Sequence, residues 1–213
     1  MTAAGGVVRV AVVDYGAGNL VSIEQALTTA GARVSRATTG TGIGDPDLLV
    51  VPGVGASAPA MERLVAGGFV DPIRAWIAAD RPFLGICLGL QLLYEGSDED
   101  GATTLGILPG RTIRLAGAPT LPHIGWNQVV RRHGHPVFDG IPGDADFYFV
   151  HSYVGAPSGL EGEGAILAET EHGSRFVSAV ARGRLVGVQF HPERSGRDGL
   201  RLMANVVRLA GAA

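Results

Sequence analysis

The stretch from Pro82 to Cys87 is apolar and suited to a strand, and Leu88 to Tyr94 continues at helical spacing. A chain that changes from strand to helix at one residue has to turn sharply there, and glycines stand two positions before and two after Cys87. Gly85-Ile86-Cys87-Leu88-Gly89 therefore has the spacing of a nucleophile elbow, in which small neighbours permit the turn and the central side chain is presented at the end of a sheet. That constraint points to layered α/β architecture. A sulfur at a helix N-terminus also meets unpaired N–H groups and the positive end of the helix dipole, both of which favour an anionic nucleophile. Taken alone, the motif also fits a buried structural cysteine beside a glycine-rich turn.

The surrounding pattern agrees with the layered reading. Short apolar runs at Val7 to Val13 and Leu48 to Val51 alternate with helical patterns at Asn19 to Ala30, Ala58 to Ala66 and Pro72 to Ala79, the rhythm of a parallel sheet. From Thr112 onward the segments are short and strand-like: Trp126 to Val130, Phe147 to Val150, Ala165 to Glu169, Arg175 to Val180 and Leu185 to Phe190. These predict a sheet that becomes partly antiparallel, closed by a helix from Gly199 to Ala210. Residues 1–213 are expected to form one domain, with no linker, repeat or low-complexity tract.

Composition removes several kinds of chemistry. All 17 basic residues are arginine, so Schiff-base formation, a phosphate-loop lysine and a lysine base are excluded. A net charge of -3 and no basic run longer than Arg131-Arg132 argue against nucleic acid as a partner. The single cysteine cannot form an internal disulfide or a zinc cluster, and no apolar stretch is long enough to span a bilayer, so a cytoplasmic location is expected. The spacing of His123, His133, His135, His151 and His172 suits no metal site, and each is expected to be satisfied locally. Neither a metal nor an organic cofactor is expected.

Two further motifs complete a chemical set. His191-Pro192-Glu193 follows the apolar run ending near Phe190; in an extended segment His191 and Glu193 would leave the same face, with the carboxylate orienting the imidazole. Cys87, His191 and Glu193 then have the types required for nucleophile, general base and orienting group. Pro52-Gly53-Val54-Gly55 is a glycine-flanked loop at a strand end, and on its own an ordinary turn. Beside a cysteine elbow, an amide from residues 53–55 and the amide of Leu88 would serve as oxyanion donors.

These residues resemble the class I, or triad, glutamine amidotransferases, whose G-x-C-x-G-x-Q and late H-P-E motifs read here Gly85-Ile86-Cys87-Leu88-Gly89-Leu90-Gln91 and His191-Pro192-Glu193. Asp14-Tyr15-Gly16-Ala17-Gly18-Asn19, His123-Ile124-Gly125-Trp126-Asn127 and Tyr148-Phe149-Val150-His151-Ser152-Tyr153 narrow the resemblance to the histidine-pathway branch of that group. The resemblance covers about Val8 to Val207 and implies a Rossmann-like (flavodoxin-like) open mixed sheet, mostly parallel, with an extra antiparallel portion. It implies hydrolysis of L-glutamine to glutamate and ammonia, with Cys87, His191 and Glu193 catalytic and Val54 and Leu88 at the oxyanion hole. Gly53, Gln91, Glu99, Ser152 and Tyr153 would bind the glutamine. The ammonia would pass to a (β/α)8 barrel cyclase subunit in a heterodimer that makes imidazole glycerol phosphate and an aminoimidazole carboxamide ribotide. By the same resemblance Asn19, Trp126 and Tyr148 would face that subunit. Arg194 stands where relatives often carry lysine, keeping the charge with a planar fork. For Trp126, core packing is the competing reading. Other triad branches, serving anthranilate, pyridoxal phosphate or GMP synthesis, and a non-catalytic binding protein of the same fold are the alternatives.

Overall fold

The computed structural model describes residues 6–159 and 164–212. In chain order it contains β1 Arg9–Val13, α1 Leu20–Thr29, β2 Arg33–Ala37, β3 Leu48–Gly53, α2 Ser57–Ala66, α3 Val70–Ala78, β4 Phe83–Cys87, α4 Leu88–Gln91, β5 Gly96–Ser97, β6 Gly110–Arg114, β7 His123–Gln128, β8 Val130–Arg131, β9 Asp146–His151, β10 Tyr153–Pro157, β11 Ile166–His172, β12 Ser174–Arg182, β13 Leu185–Val188 and α5 Gly196–Ala210. The principal sheet runs β2-β1-β3-β4-β13-β12-β11-β8. Its first five strands are mutually parallel and the last three pair antiparallel, which is the mixed sheet expected from the pattern.

Strands β3, β4 and β13 are buried at every position because helices cover both faces, so their sequences are continuous apolar runs instead of alternating ones. Alternate residues serve different cores. Val10, Val12, Leu48 and Val50 pack with Ile23 and Leu27 of α1 and with Leu202 and Val206 of α5. Ala11, Val13, Leu49 and Val51 face Ala60 and Leu64 of α2 and Ile73 and Trp76 of α3. The period-two geometry of a strand thus divides one sheet between two apolar layers.

Several boundaries differ from the sequence reading. Helical hydrogen bonding after Cys87 is confined to Leu88–Gln91, and residues 93 and 94 close with tighter turns onto Leu90 and Gln91. Strand β13 ends at Val188, not Phe190, and α5 begins at Gly196, three residues before the expected start. The edge strand β2 and the strand β6 carry no strong apolar signal, being exposed at most positions, and β5 is only two residues long.

Candidate active site

The site lies beyond the carboxyl ends of the parallel strands, where open α/β sheets place ligands. Gly53 of β3 stands opposite Cys87 of β4, and Ile86 stands opposite Val188 of β13, so the segment after Val188 begins beside the cysteine. A separation of 102 residues between Cys87 and Gln189 is closed by this one strand pairing: Gln189 Nε2 donates to Cys87 Sγ at 3.6 Å.

Cys87 has φ +53°, one of two non-glycine residues in the left-handed region among those described. Such a conformation costs energy and persists only where the surroundings enforce it. Here they do: a Cβ on Gly89 would lie 1.8 Å from the Val51 carbonyl oxygen, so α4 can press against β3 only because that position is glycine. Leu88 opens α4, and its N–H therefore has no intrahelical acceptor.

His191 Nδ1 and Glu193 Oε1 are 2.8 Å apart, with side chains 6% and 1% exposed. They do not meet as neighbours on an extended face. The strand has already ended, and Pro192–Arg194 forms a 3-10 turn with proline in its first position, which swings the carboxylate back onto the ring. His191 Nε2 and Glu193 Oε2 are both buried without a hydrogen-bond partner among the described residues. Burial alone would lower the basicity of His191, but the influence of nearby Cys87 and the hydrogen-bonded Glu193 carboxylate outweighs it and raises its pKa to about 10. With Nδ1 held by Glu193, Nε2 is the nitrogen left to exchange a proton at the reacting centre.

A cavity of about 230 Å³ opens on the sulfur, with Leu88, Gln91, Glu99, Ser152 and Tyr153 on its wall beside Cys87. Gly53 and Val54 are not on that wall; Gly55 and Ala56 take their place. Gly53 instead packs beneath, since a Cβ there would meet the Tyr15 hydroxyl at 2.2 Å, and that hydroxyl donates to the Pro52 carbonyl at 2.8 Å. Burial, with Asp100 nearby, holds the Glu99 carboxyl above its ordinary range, the condition of an acid that gains from an incoming cation such as an α-ammonium group. Gln91 Nε2 donates to the Tyr153 carbonyl at 2.8 Å and to Gln189 Oε1 at 3.1 Å.

On the surface, Trp126 is 57% exposed, which sets aside core packing. Its ring stands edge-on to Tyr148 at 6.3 Å, and the Arg194 guanidinium lies 4.2 Å over the Tyr148 ring. These three form one patch. Asn19 is exposed and caps α1, its Oδ1 accepting from the Ser22 amide and its Nδ2 donating to Ser22 Oγ.

Gln189 and Ser195 carry site geometry that sequence reasoning left without a role. Ser195 Oγ donates to the His191 carbonyl at 2.6 Å and accepts from the Tyr148 amide at 2.9 Å, tying the turn that follows His191 to the exposed patch. Gln189 is a polar residue closing an otherwise apolar run, and it is fully buried just after β13, the one signal that could have drawn attention to it. The histidines also depart from expectation. His133 and His135 are satisfied locally, but His123, His151 and His172 gather across three strands, with His123 and His172 stacked at 4.0 Å. Among the described residues no group of three or more His, Cys, Asp or Glu is arranged to hold a metal ion.

Residues 11–209 match the family model described as glutamine amidotransferase class-I. The chain belongs to the class-I glutamine amidotransferase family. Solved structures agree in fold: a crystal structure of a glutamine amidotransferase superimposes with TM-score 0.74 at 22% identity, covering 95% of this chain and 98% of that one. PurLQS of Thermotoga maritima gives TM-score 0.75 at 18% identity over 96% and 99% of the two chains. Within the family, the chain groups with the imidazole glycerol phosphate synthase subunit HisH. It is 48% identical to that subunit from a Synechococcus species, over 95% of this chain and 93% of the relative. Against that of Moorella thermoacetica it is 44% identical, over 96% and 98%.

Proposed function

We propose that this chain is the glutaminase subunit of an imidazole glycerol phosphate synthase, hydrolysing L-glutamine to L-glutamate and ammonia. The observation that carries the reading is the convergence at adjoining strand ends of a cysteine held at positive φ and a buried imidazole whose far nitrogen is fixed by a carboxylate. His191 Nε2 takes the thiol proton, and Cys87 Sγ attacks the side-chain carboxamide carbon. The oxyanion of the tetrahedral intermediate is met by the Leu88 amide and by an amide of the Gly53–Gly55 loop, with Val54 the donor once its peptide turns toward the cavity. His191 passes a proton from Nε2 to the departing nitrogen, and the C–N bond breaks to leave ammonia and a thioester on Sγ. Water then attacks the thioester with His191 as base, releasing glutamate and restoring the thiol. Glu193 keeps the imidazole oriented throughout.

Glutamine is held by Gln91, Glu99, Ser152 and Tyr153 on the cavity wall, with Glu99 receiving the α-ammonium group. The ammonia passes to a (β/α)8 barrel cyclase subunit docked on Trp126, Tyr148, Arg194 and Asn19, where it takes part in forming imidazole glycerol phosphate and the carboxamide ribotide of histidine biosynthesis. A cytoplasmic location fits this role, and no helix among the described residues is long and apolar enough to cross a membrane. The test is ammonia release from glutamine by the chain mixed with the cyclase subunit, for wild type and Cys87→Ala. Turnover that disappears with the sulfur supports the proposal, and substantial turnover in Cys87→Ala refutes the nucleophile.

A further inference from the structure

We infer that His123 and His151 are positioning residues for the glutamine pocket, acting through the Tyr153 carbonyl as a pair of neutral imidazoles with fixed tautomers. The inference rests on the glutaminase reading of the Cys87 cavity. Strands β7 and β9 pair antiparallel with His123 directly opposite His151. His151 Nδ1 lies 3.0 Å from the Tyr153 carbonyl oxygen, and because a carbonyl can only accept, Nδ1 carries the proton. A neutral ring then offers Nε2 as an acceptor, so His123, whose Nδ1 is 3.1 Å away, donates from that atom. His123 Nε2 in turn accepts from Asn127 Nδ2 at 3.2 Å. Asn127 is held in this orientation by its own contacts, Nδ2 donating to the Glu171 carbonyl at 2.9 Å and Oδ1 accepting from the Gln128 amide at 2.8 Å. Backbone groups at both ends therefore fix every donor and acceptor between them.

The far end of this series reaches the reacting sulfur. The Tyr153 carbonyl that accepts from His151 also accepts from Gln91 Nε2 at 2.8 Å. Gln91 donates as well to Gln189 Oε1, and Gln189 donates to Cys87 Sγ. Tyr153 and Gln91 both stand on the cavity wall, so the carbonyl that His151 holds sets the orientation of the pocket amide. Burial lowers the pKa of His123 to about 4 and of His151 to about 3, with neighbouring histidines adding to the shift, which keeps both rings neutral. The rings are also packed so that shape and hydrogen bonding can be separated. His123 stacks on Phe149 at 4.9 Å and on His172 at 4.0 Å, so a phenyl ring at position 123 keeps the stack and loses only the polar contacts.

The experiment measures glutamine hydrolysis by the complex with the cyclase subunit, for wild type, His123→Phe and His123→Asn, together with histidine ring-nitrogen shifts of the isotope-labelled wild-type chain. Loss of a buried hydrogen bond predicts that His123→Phe raises KM for glutamine about tenfold with kcat lowered less than about threefold. Asn places a donor near the former Nδ1, so His123→Asn should recover KM to within about threefold of wild type. At neutral pH both rings should show the Nδ1–H tautomer. An unchanged KM in His123→Phe, equal impairment in the Asn variant, or an Nε2–H or charged ring at either position would overturn the inference. Should His123→Phe fail to fold, the tautomers of the wild-type chain decide it. No hydrolysis by the wild-type complex would sink the glutaminase reading itself, and the positioning role with it.

Discussion

Two groups of buried histidine lie near Cys87, His151 with His123 behind it at the cavity wall and His191 on the turn after β13, and their basicity is shifted in opposite directions. His191 is nearly enclosed, yet its pKa rises, because Glu193 lies 2.8 Å from one nitrogen and Cys87 stands on the side of the other. His123 and His151 are also buried, but they face each other, an asparagine and a backbone carbonyl, and their pKa values fall. Burial penalises the charged ring in both places; the presence or lack of an anion decides the outcome. In the proposed mechanism the same residue type thus supplies a proton carrier in one region and a fixed hydrogen-bond element in the other.

Replacing Cys87 with alanine removes the nucleophile beside His191. Glutaminase turnover should fall by about four orders of magnitude or more, with fold and partner binding intact. Binding retained and activity lost would sharpen the contrast; activity retained would break it. Glu193→Gln keeps the shape and removes the carboxylate on Nδ1, and a loss on the order of a hundredfold in kcat is expected, with the pH profile displaced as His191 loses basicity.

The pH dependence of stability should carry both signs. For His191 the folded pKa lies above the ordinary 6.5, so its contribution is complete below 6.5 and is lost as pH rises toward 10. For His151 and His123 the folded values lie below 6.5, so the unfolded chain binds protons first and stability falls as pH drops from 6.5 toward 4 and 3. His123→Phe should flatten this acid limb in denaturant titrations at successive pH values. An acid limb unchanged by that substitution would detach the slope from this pair.

Trp126 lies one residue before Asn127 on β7, so it tests whether the docking patch is separable from the histidines beneath. Trp126→Ala should weaken association with the cyclase subunit about tenfold, read by calorimetry, while the histidine tautomers stay as they are. The smallest effect is expected for Arg194→Lys. Loss of the planar stack over Tyr148 should change that affinity by only about twofold to threefold.

Much of this arrangement was legible in the chain. The apolar runs of β3, β4 and β13 announce strands covered on both faces, and the glycines around Cys87 announce the elbow because no side chain fits where Gly89 meets Val51. What escaped depends on pairing between distant segments. Arg33–Ala37 is an edge strand with polar residues on its open side, which leaves little apolar pattern to read. The contact of His123 with His151 exists only in the register of β7 with β9, and that of Gln189 with Cys87 only because β13 lies beside β4. The His-Pro-Glu geometry was read as extended and is a turn. Spacing alone could not show that the strand stops three residues before His191.

The central claim is that Cys87, activated by the His191–Glu193 pair, hydrolyses glutamine for a synthase partner. Its most direct test is ammonia release from glutamine by the purified chain, alone and then with the cyclase subunit carrying its ribotide substrate. Strong stimulation by the loaded partner, lost in Cys87→Ala, is the predicted result. No ammonia from the loaded complex, or turnover that survives removal of the sulfur, would contradict it.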